Sequence, residues 1–259
     1  MNESINYKIT GKGIPFVFQH GLGAELGQAQ SIFAGLNGIQ LISMDCPGHG
    51  KSSYNISEPP SFRQYTDDLV GVLDKEKIHQ AVFGGISMGS ALSVQMALRF
   101  PEKVKGLVLV RPAWLDYGTP ENLEILLEVA DYIEQGKGAD EFELTDSYQE
   151  MKKILPLAAA SVMGLFSRDQ LVDTPKVLRN MVNDVPFPSL DSLNSINVPT
   201  LIIVNHDDPL HPLKFGEIYA SKIPNSQLNE VTSRYIDNDK HTREVRNLVG
   251  DFLTRVKPN

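Results

Sequence analysis

The chain has 259 residues, 41% of them hydrophobic and 22% charged, with a formal net charge of −8. That length and balance fit one α/β domain carrying an insertion, with a core of useful size. The negative balance, with no Lys/Arg block, argues against nucleic acid and anionic membrane surfaces as partners.

Met1-Asn2-Glu3-Ser4 is polar and acidic. It lacks a basic stretch followed by an apolar one, so no signal peptide is expected, and no apolar run is long enough to span a bilayer. Cys46 is the single cysteine. It reads as a packed small residue, and a cytoplasmic protein is the simplest expectation.

Ser4 to Thr10 alternates apolar and polar residues and predicts an edge strand. After the Gly11-Lys12-Gly13 turn, Ile14 to Gln19 is a short apolar strand that runs into His20-Gly21-Leu22-Gly23. A helix over about Gln28–Leu36 follows. Ile39 to Asp45 is the next buried strand, ending in the loop Asp45-Cys46-Pro47-Gly48-His49-Gly50-Lys51-Ser52. Ser61 is an N-cap for a helix to Lys77 with Tyr65, Leu69, Val72 and Leu73 on one face.

Gln80 to Ile86 is a strand, and Met88 to Phe100 a helix ended by Pro101. Between them stands Gly85-Ile86-Ser87-Met88-Gly89. A serine at the tip of a sharp strand-to-helix turn needs small neighbours at −2 and +2. Its Oγ is then exposed at a helix N-terminus, where free N–H groups and the dipole favour developing negative charge. Val104 to Val110 is another all-apolar run. Strands apolar on both faces and alternating with helices predict a parallel sheet covered on both sides.

The alternation stops from about Trp114 to Asn194. Leu123, Leu126, Leu127, Ala130 and Ile133 space as one helix. Tyr148, Met151 and Leu155 space as another, broken or kinked by Pro156. Leu157 to Phe166 is apolar on most sides, and Thr174-Pro175 opens a further helix. The expected division is core 1–113, helical insertion 114–195 and core 196–259. Pro199 to Val204 resumes the sheet and ends at Asn205-His206-Asp207-Asp208-Pro209-Leu210-His211-Pro212. A helix near Phe215–Ile223, a strand near Gln227–Val231, the loop Asn238 to His241 and a last helix from Arg243 to Val256 complete the chain.

Chemistry in open α/β sheets sits at the carboxyl ends of the strands. His20–Gly23, Ser87, Asp208 and His241 all occupy such ends. A serine nucleophile needs a base in hydrogen-bond reach and an acid to orient that base. With the elbow, the His20-Gly21-Leu22-Gly23 loop, the Asp45–Ser52 loop and the order Ser87, Asp208, His241, the chain resembles the α/β-hydrolase family along nearly its whole length. The resemblance implies the α/β-hydrolase fold: a mostly parallel sheet with helices on both faces and a helical cap insertion.

Residue by residue, the resemblance implies Ser87 as nucleophile, His241 as general base and then acid, and Asp208 as the orienting acid. Asn205 stands where the family has glycine, so Asp207 is a rival in register and Asp116 a more distant one. The backbone N–H groups of Leu22 and Met88 would form the oxyanion hole. His20 and His49 read as structural. His206 and His211 flank the acid, and no metal site is expected of them.

The cap would wall the substrate pocket, with Trp114, Tyr117, Met163 and Phe166 as lining candidates. Arg111, ending a buried strand, would either hold a substrate carboxylate or pair with a protein one. Serine in place of aspartate at the elbow points to acyl chemistry, with a small-molecule acyl substrate. A small ester or lactone is the expected substrate class. Thioester, amide or carbon–carbon hydrolysis, perhydrolysis and acyl transfer would use the same triad. A hydrolase-fold ligand sensor signalling to a partner protein is the non-enzyme alternative. No cofactor is expected.

Overall fold

The computed structural model describes residues 5–53, 59–169 and 173–256. The Met1–Ser4 start, read above for a signal peptide, lies outside the described residues. The sheet has seven strands: β1 (Tyr7–Gly11), β2 (Ile14–Gln19), β3 (Ile39–Met44), β4 (Ala81–Ile86), β5 (Val104–Val110), β6 (Thr200–Val204) and β7 (Ser226–Glu230). Their spatial order is β1-β3-β2-β4-β5-β6-β7. Only β1 is antiparallel to its neighbour.

The central strands are rich in β-branched and aromatic residues because both faces are covered. Alternate residues separate cleanly. Phe16, Phe18, Val82, Val108, Val110, Leu201 and Ile203 pack with Ala29 and Phe33 of α1 (Gly27–Phe33) and with Val245, Val249 and Phe252 of α10 (Asn238–Arg255). Phe33 meets Phe16 and Phe18 edge-on, at ring separations of 5.3 and 4.7 Å. Each such buried ring contributes about 1.5–3 kcal/mol. Val17, Phe83, Leu107, Leu109, Ile202 and Val204 face the other way. They meet α2 (Phe62–Lys75), α3 (Met88–Arg99) and α9 (Leu213–Lys222). The Ser61 hydroxyl caps α2 by accepting the Gln64 N–H at 3.1 Å.

Between β5 and β6 the described residues form helices and loops only: α4 (Glu124–Glu134), α5 (Ala139–Phe142), α6 (Asp146–Ile154), α7 (Pro156–Met163) and α8 (Thr174–Asn183), with short 3-10 turns. Pro156 separates α6 from α7. Leu126, Val129 and Ala130 of α4 pack with Val177, Leu178 and Met181 of α8, in one apolar cluster continuous with the α2–α3 face of the sheet. Trp114 ties the two parts together. It is fully buried, its Nε1–H donates to the Met181 carbonyl at 3.1 Å, and Phe62 meets it edge-on. The insertion therefore shares its core with the sheet.

One boundary departs from expectation in a way that matters later. The last helix begins at Asn238, not Arg243, because the Asp237 carboxylate accepts the Lys240 N–H at 2.9 Å and starts the helix there. His241 therefore sits in a helical turn and not in a loop. Among the described residues no helix is long and apolar enough to cross a membrane.

Candidate active site at the carboxyl ends of the strands

β2 lies between β3 and β4, so the chain winds outward in both directions from it. That is a topological switch point, and a crevice opens outside the carboxyl ends of the two strands that diverge there. The His20–Gly23 loop leaves β2 and Ser87 leaves β4.

Ser87 has φ 56° and ψ −113°, a backbone conformation that costs a non-glycine residue about 1–3 kcal/mol. The surroundings hold it there. Its N–H donates to the Val110 carbonyl at 3.0 Å. A Cβ on Gly85 would stand 2.3 Å from the Gly89 carbonyl carbon, and one on Gly89 would stand 2.3 Å from the Gln19 carbonyl oxygen. Both glycines are thus required by the close approach of three backbones, and the strained serine follows from them.

The β2 loop is fixed by its own hydrogen bonds. Gly21 N–H donates to Gln28 Oε1 at 2.9 Å and Gly23 N–H to His49 Nε2 at 3.2 Å. His20 accepts the Cys46 N–H at Nε2 (3.0 Å), which leaves its proton on Nδ1, 2.8 Å from the Gly21 carbonyl. Burial pushes the His20 pKa down to about 4 and that of His49 well below its usual value. Both rings are spent on holding loops. The N–H groups of Leu22 and Met88 differ: no described protein atom accepts either of them. The Leu22 residue lines the crevice, while the Met88 side chain is buried in the core.

The residues expected to complete the site are not joined as expected. Asp208, at the end of β6, is buried. Its Oδ1 lies 2.8 Å from His211 Nδ1 and its Oδ2 3.0 Å from Arg111 Nη1. Burial alone would favour the neutral acid, but His211 and Arg111 outweigh it and hold the carboxyl well below the usual range. His241 instead places Nδ1 2.8 Å from the Thr232 carbonyl, and one turn on Glu244 accepts the Thr232 N–H at 2.7 Å. The two side chains hold the N–H and the carbonyl of the one residue Thr232. Burial, followed by nearby Arg111, pushes the His241 pKa down to about 4. His241 is the fourth residue of α10 and takes the Thr232 carbonyl as its partner; Asp208 is near enough to act on it through charge but is not bonded to it. Neither histidine makes a hydrogen bond with Ser87 Oγ in this structure.

A cavity of about 310 Å³ stands over Ser87. Its described walls are Gly21 to Ala24, Gln28, Ile86, Arg111, Trp114, Leu123, Leu126, Ser161, Val162, Gly164, Leu165, Leu210, His211, Arg234 and Tyr235. Of the expected lining residues, Trp114 and Arg111 are there. Tyr117 is 47% exposed and away from the cavity. Phe166 packs on Phe142 inside the insertion at a ring separation of 5.3 Å, and its neighbour Met163 is likewise turned into the helical packing. The residues between and beside them, Val162, Gly164 and Leu165, form the wall. Arg111 takes the second of its two expected roles, pairing with a protein carboxylate.

Asp207 is exposed with φ 51°, its carbonyl accepting the Ser233 hydroxyl at 3.1 Å. Asp116 accepts the Leu190 N–H. Neither lines the cavity. His206 contacts Glu230 at the surface, 3.4 Å away. The residues that sequence reasoning passed over are His211, Arg234 and Tyr235. For His211 a signal exists: Asp208 and His211 are three residues apart in a Pro-containing turn, where side chains i and i+3 can meet.

The family model for the alpha/beta hydrolase fold matches residues 14–234. 3-Oxoadipate enol-lactonase 2 of Acinetobacter baylyi is 22% identical, covering 97% of this chain and 94% of its own length. 2-Hydroxymuconate semialdehyde hydrolase of Pseudomonas sp. is 26% identical, covering 97% and 90%. The crystal structure of the enol-lactonase from Burkholderia xenovorans superposes with a TM-score of 0.75 at 24% identity, covering 97% of this chain and 96% of that one.

Proposed function

We propose that this chain, which belongs to the α/β-hydrolase family, is a serine hydrolase cleaving a small ester or lactone through an acyl-enzyme intermediate. The observation that carries the reading is the strained Ser87 at a cavity whose wall also holds the Asp208-bound His211. Relatives named for enol-lactone hydrolysis support the substrate class.

In this reading Ser87 Oγ attacks the acyl carbon and its proton passes to His211 Nε2. Asp208 holds Nδ1–H, so Nε2 is the bare acceptor. The tetrahedral oxyanion sits between the N–H groups of Leu22 and Met88, which have no other acceptor; such donors are worth roughly 3 kcal/mol each. The C–O bond to the alcohol breaks, and the leaving oxygen takes the proton from Nε2. Water then attacks the Ser87 ester, gives its proton to Nε2, and Nε2 returns a proton to Ser87 Oγ as the acid departs. Catalytic hydrogen bonds absent from the free enzyme commonly close in the substrate complex, which is where Ser87 and His211 would meet.

The insertion acts as the cap in this reading, since Ser161, Val162 and Leu165 roof the cavity. His241 as base, the role implied by family resemblance, would need its ring to exchange the Thr232 carbonyl for Asp208. The test is labelling by a fluorophosphonate probe. Wild type should label stoichiometrically and Ser87→Ala should not. A correctly folded wild type that stays unlabelled and turns over no nitrophenyl ester or lactone overturns the reading.

A further inference from the structure

The cavity over Ser87 has an unusual charge balance for this protein. The chain carries 32 acidic against 24 basic residues, yet no Asp or Glu is among the described residues lining the cavity, while Arg111 and Arg234 both are. The Arg111 charge is already answered, since its Nη1 lies 3.0 Å from the Asp208 carboxylate. Arg234 has no such answer. No described carboxylate lies within ion-pair distance of it, and its guanidinium rests on the Tyr235 ring, 5.6 Å from the centroid. Burial keeps the His211 pKa below its usual value, so that ring favours its neutral form and adds no further positive charge. Burial and the nearby Arg111 guanidinium act against the Arg234 cation, and Asp208, beyond ion-pair distance, offsets them only in part.

A half-buried guanidinium without a counter-ion is an energetic liability unless something supplies one. Here the open side of the group is a cavity that ends at a nucleophile. Arg also offers a planar fork of donors matched to a carboxylate.

We propose that Arg234 is the anchor for an anionic group on the substrate, a carboxylate held at one end of the cavity while the scissile acyl carbon lies at Ser87. The inference rests on the hydrolase reading for the second half of that statement but not for the first. The substrate class becomes a half-ester or a lactone acid, with the anion separated from the acyl carbon by a short carbon chain. The anion supplies the charge that the protein withholds, so binding energy from a part of the substrate remote from the reaction orients the reacting end.

The experiment compares p-nitrophenyl hemiglutarate with p-nitrophenyl valerate, which share an acyl chain of the same length and differ in the terminal carboxylate. Wild type is expected to show kcat/KM at least tenfold higher for the hemiglutarate. Arg234→Gln should collapse that ratio by tenfold or more, mainly through KM, and Arg234→Lys should restore part of it. Raising salt should weaken the preference in wild type. Equal kcat/KM for the two esters in wild type overturns the anion anchor while leaving the hydrolase intact, as does an Arg234→Gln variant that loses both activities in the same proportion. If wild type hydrolyses neither ester, the fluorophosphonate label and the lactone screen decide the hydrolase reading separately. Glutarate binding by calorimetry then decides the anchor alone: binding to wild type that is lost in Arg234→Gln upholds it, and no binding to wild type overturns it.

Discussion

Asp208 Oδ1 lies 2.8 Å from Nδ1 of His211, three residues further along the chain. A carboxylate at Nδ1 fixes the ring: the proton stays on Nδ1 and Nε2 is left as an acceptor. Arg111 on the other carboxylate oxygen keeps Asp208 ionised in a buried place. That arrangement is what a general base needs from its orienting acid, and in this chain it is built within one turn after β6.

The two histidines can be told apart by replacement. His211→Gln removes the ring bonded to Asp208 and should lower kcat by roughly 10²–10⁴, the usual worth of a positioned base. His241→Gln should keep kcat within about tenfold while lowering thermal stability, because what it loses is the Thr232 clamp, a hydrogen bond worth about 1 kcal/mol. Steady-state rates beside melting curves for the two variants make the comparison. If His241→Gln is the inactive, stable one, the base is His241 and the free enzyme rearranges before it reacts.

In the proposed reading Asp208 does two jobs, and its removal should show both. Asp208→Asn presents the wrong His211 tautomer, with an expected loss of roughly 10⁴ in turnover. It also leaves the buried Arg111 guanidinium without a charge partner, at a cost of roughly 3–5 kcal/mol of stability. Adding Arg111→Met to Asp208→Asn should recover part of the stability and none of the turnover. Asp207→Asn, at an exposed turn, should be mild on both counts. Denaturant melts and single-turnover rates on the three variants read the two effects separately; a mild Asp208→Asn beside a damaging Asp207→Asn would put the acid one residue earlier.

What the sequence made legible follows from how local each determinant is. The buried strands and their order of chemistry-bearing loops were readable because an apolar run bounded by Gly and Pro is a local signal. Ser87 was readable because Gly85 and Gly89 flank it within five residues, although the backbone that requires Gly89 is that of Gln19 on β2. His241 was misplaced by a local choice that spacing does not reveal: Asp237 outcompetes later residues as a cap and extends α10 by more than a turn. Arg111 and Asp208 are 97 residues apart, so their pairing depends on β5 and β6 being neighbours, which apolar patterning alone leaves open. The lining of the cavity was the least legible part. Met163 and Phe166 lie on the same short helical stretch as Val162 and Leu165, and a rotation of about 100° per residue decides which of them face the void.

The pH dependence of stability carries its own sign. His20 and His241 are held with pKa values of about 4, against about 6.5 in an unfolded chain. The unfolded state therefore binds more protons between these values, and folded stability rises with pH across that window. The contribution of each ring is fully present above pH 6.5 and is lost as the pH falls toward 4. Asp208 adds a second loss below this, because its depressed carboxyl is protonated in the unfolded chain before it is in the folded one. Melting temperature should thus fall in two stages on acidification, the first between pH 6.5 and 4. His241→Gln should flatten part of the first stage and leave the second in place. Activity should not track the first stage from its top, because His211 is also held below its usual pKa and stays an acceptor at pH 6.5. A melting temperature level from pH 7 to pH 4 would contradict the buried neutral histidines, and a His241→Gln profile identical in shape to wild type would remove His241 from their number.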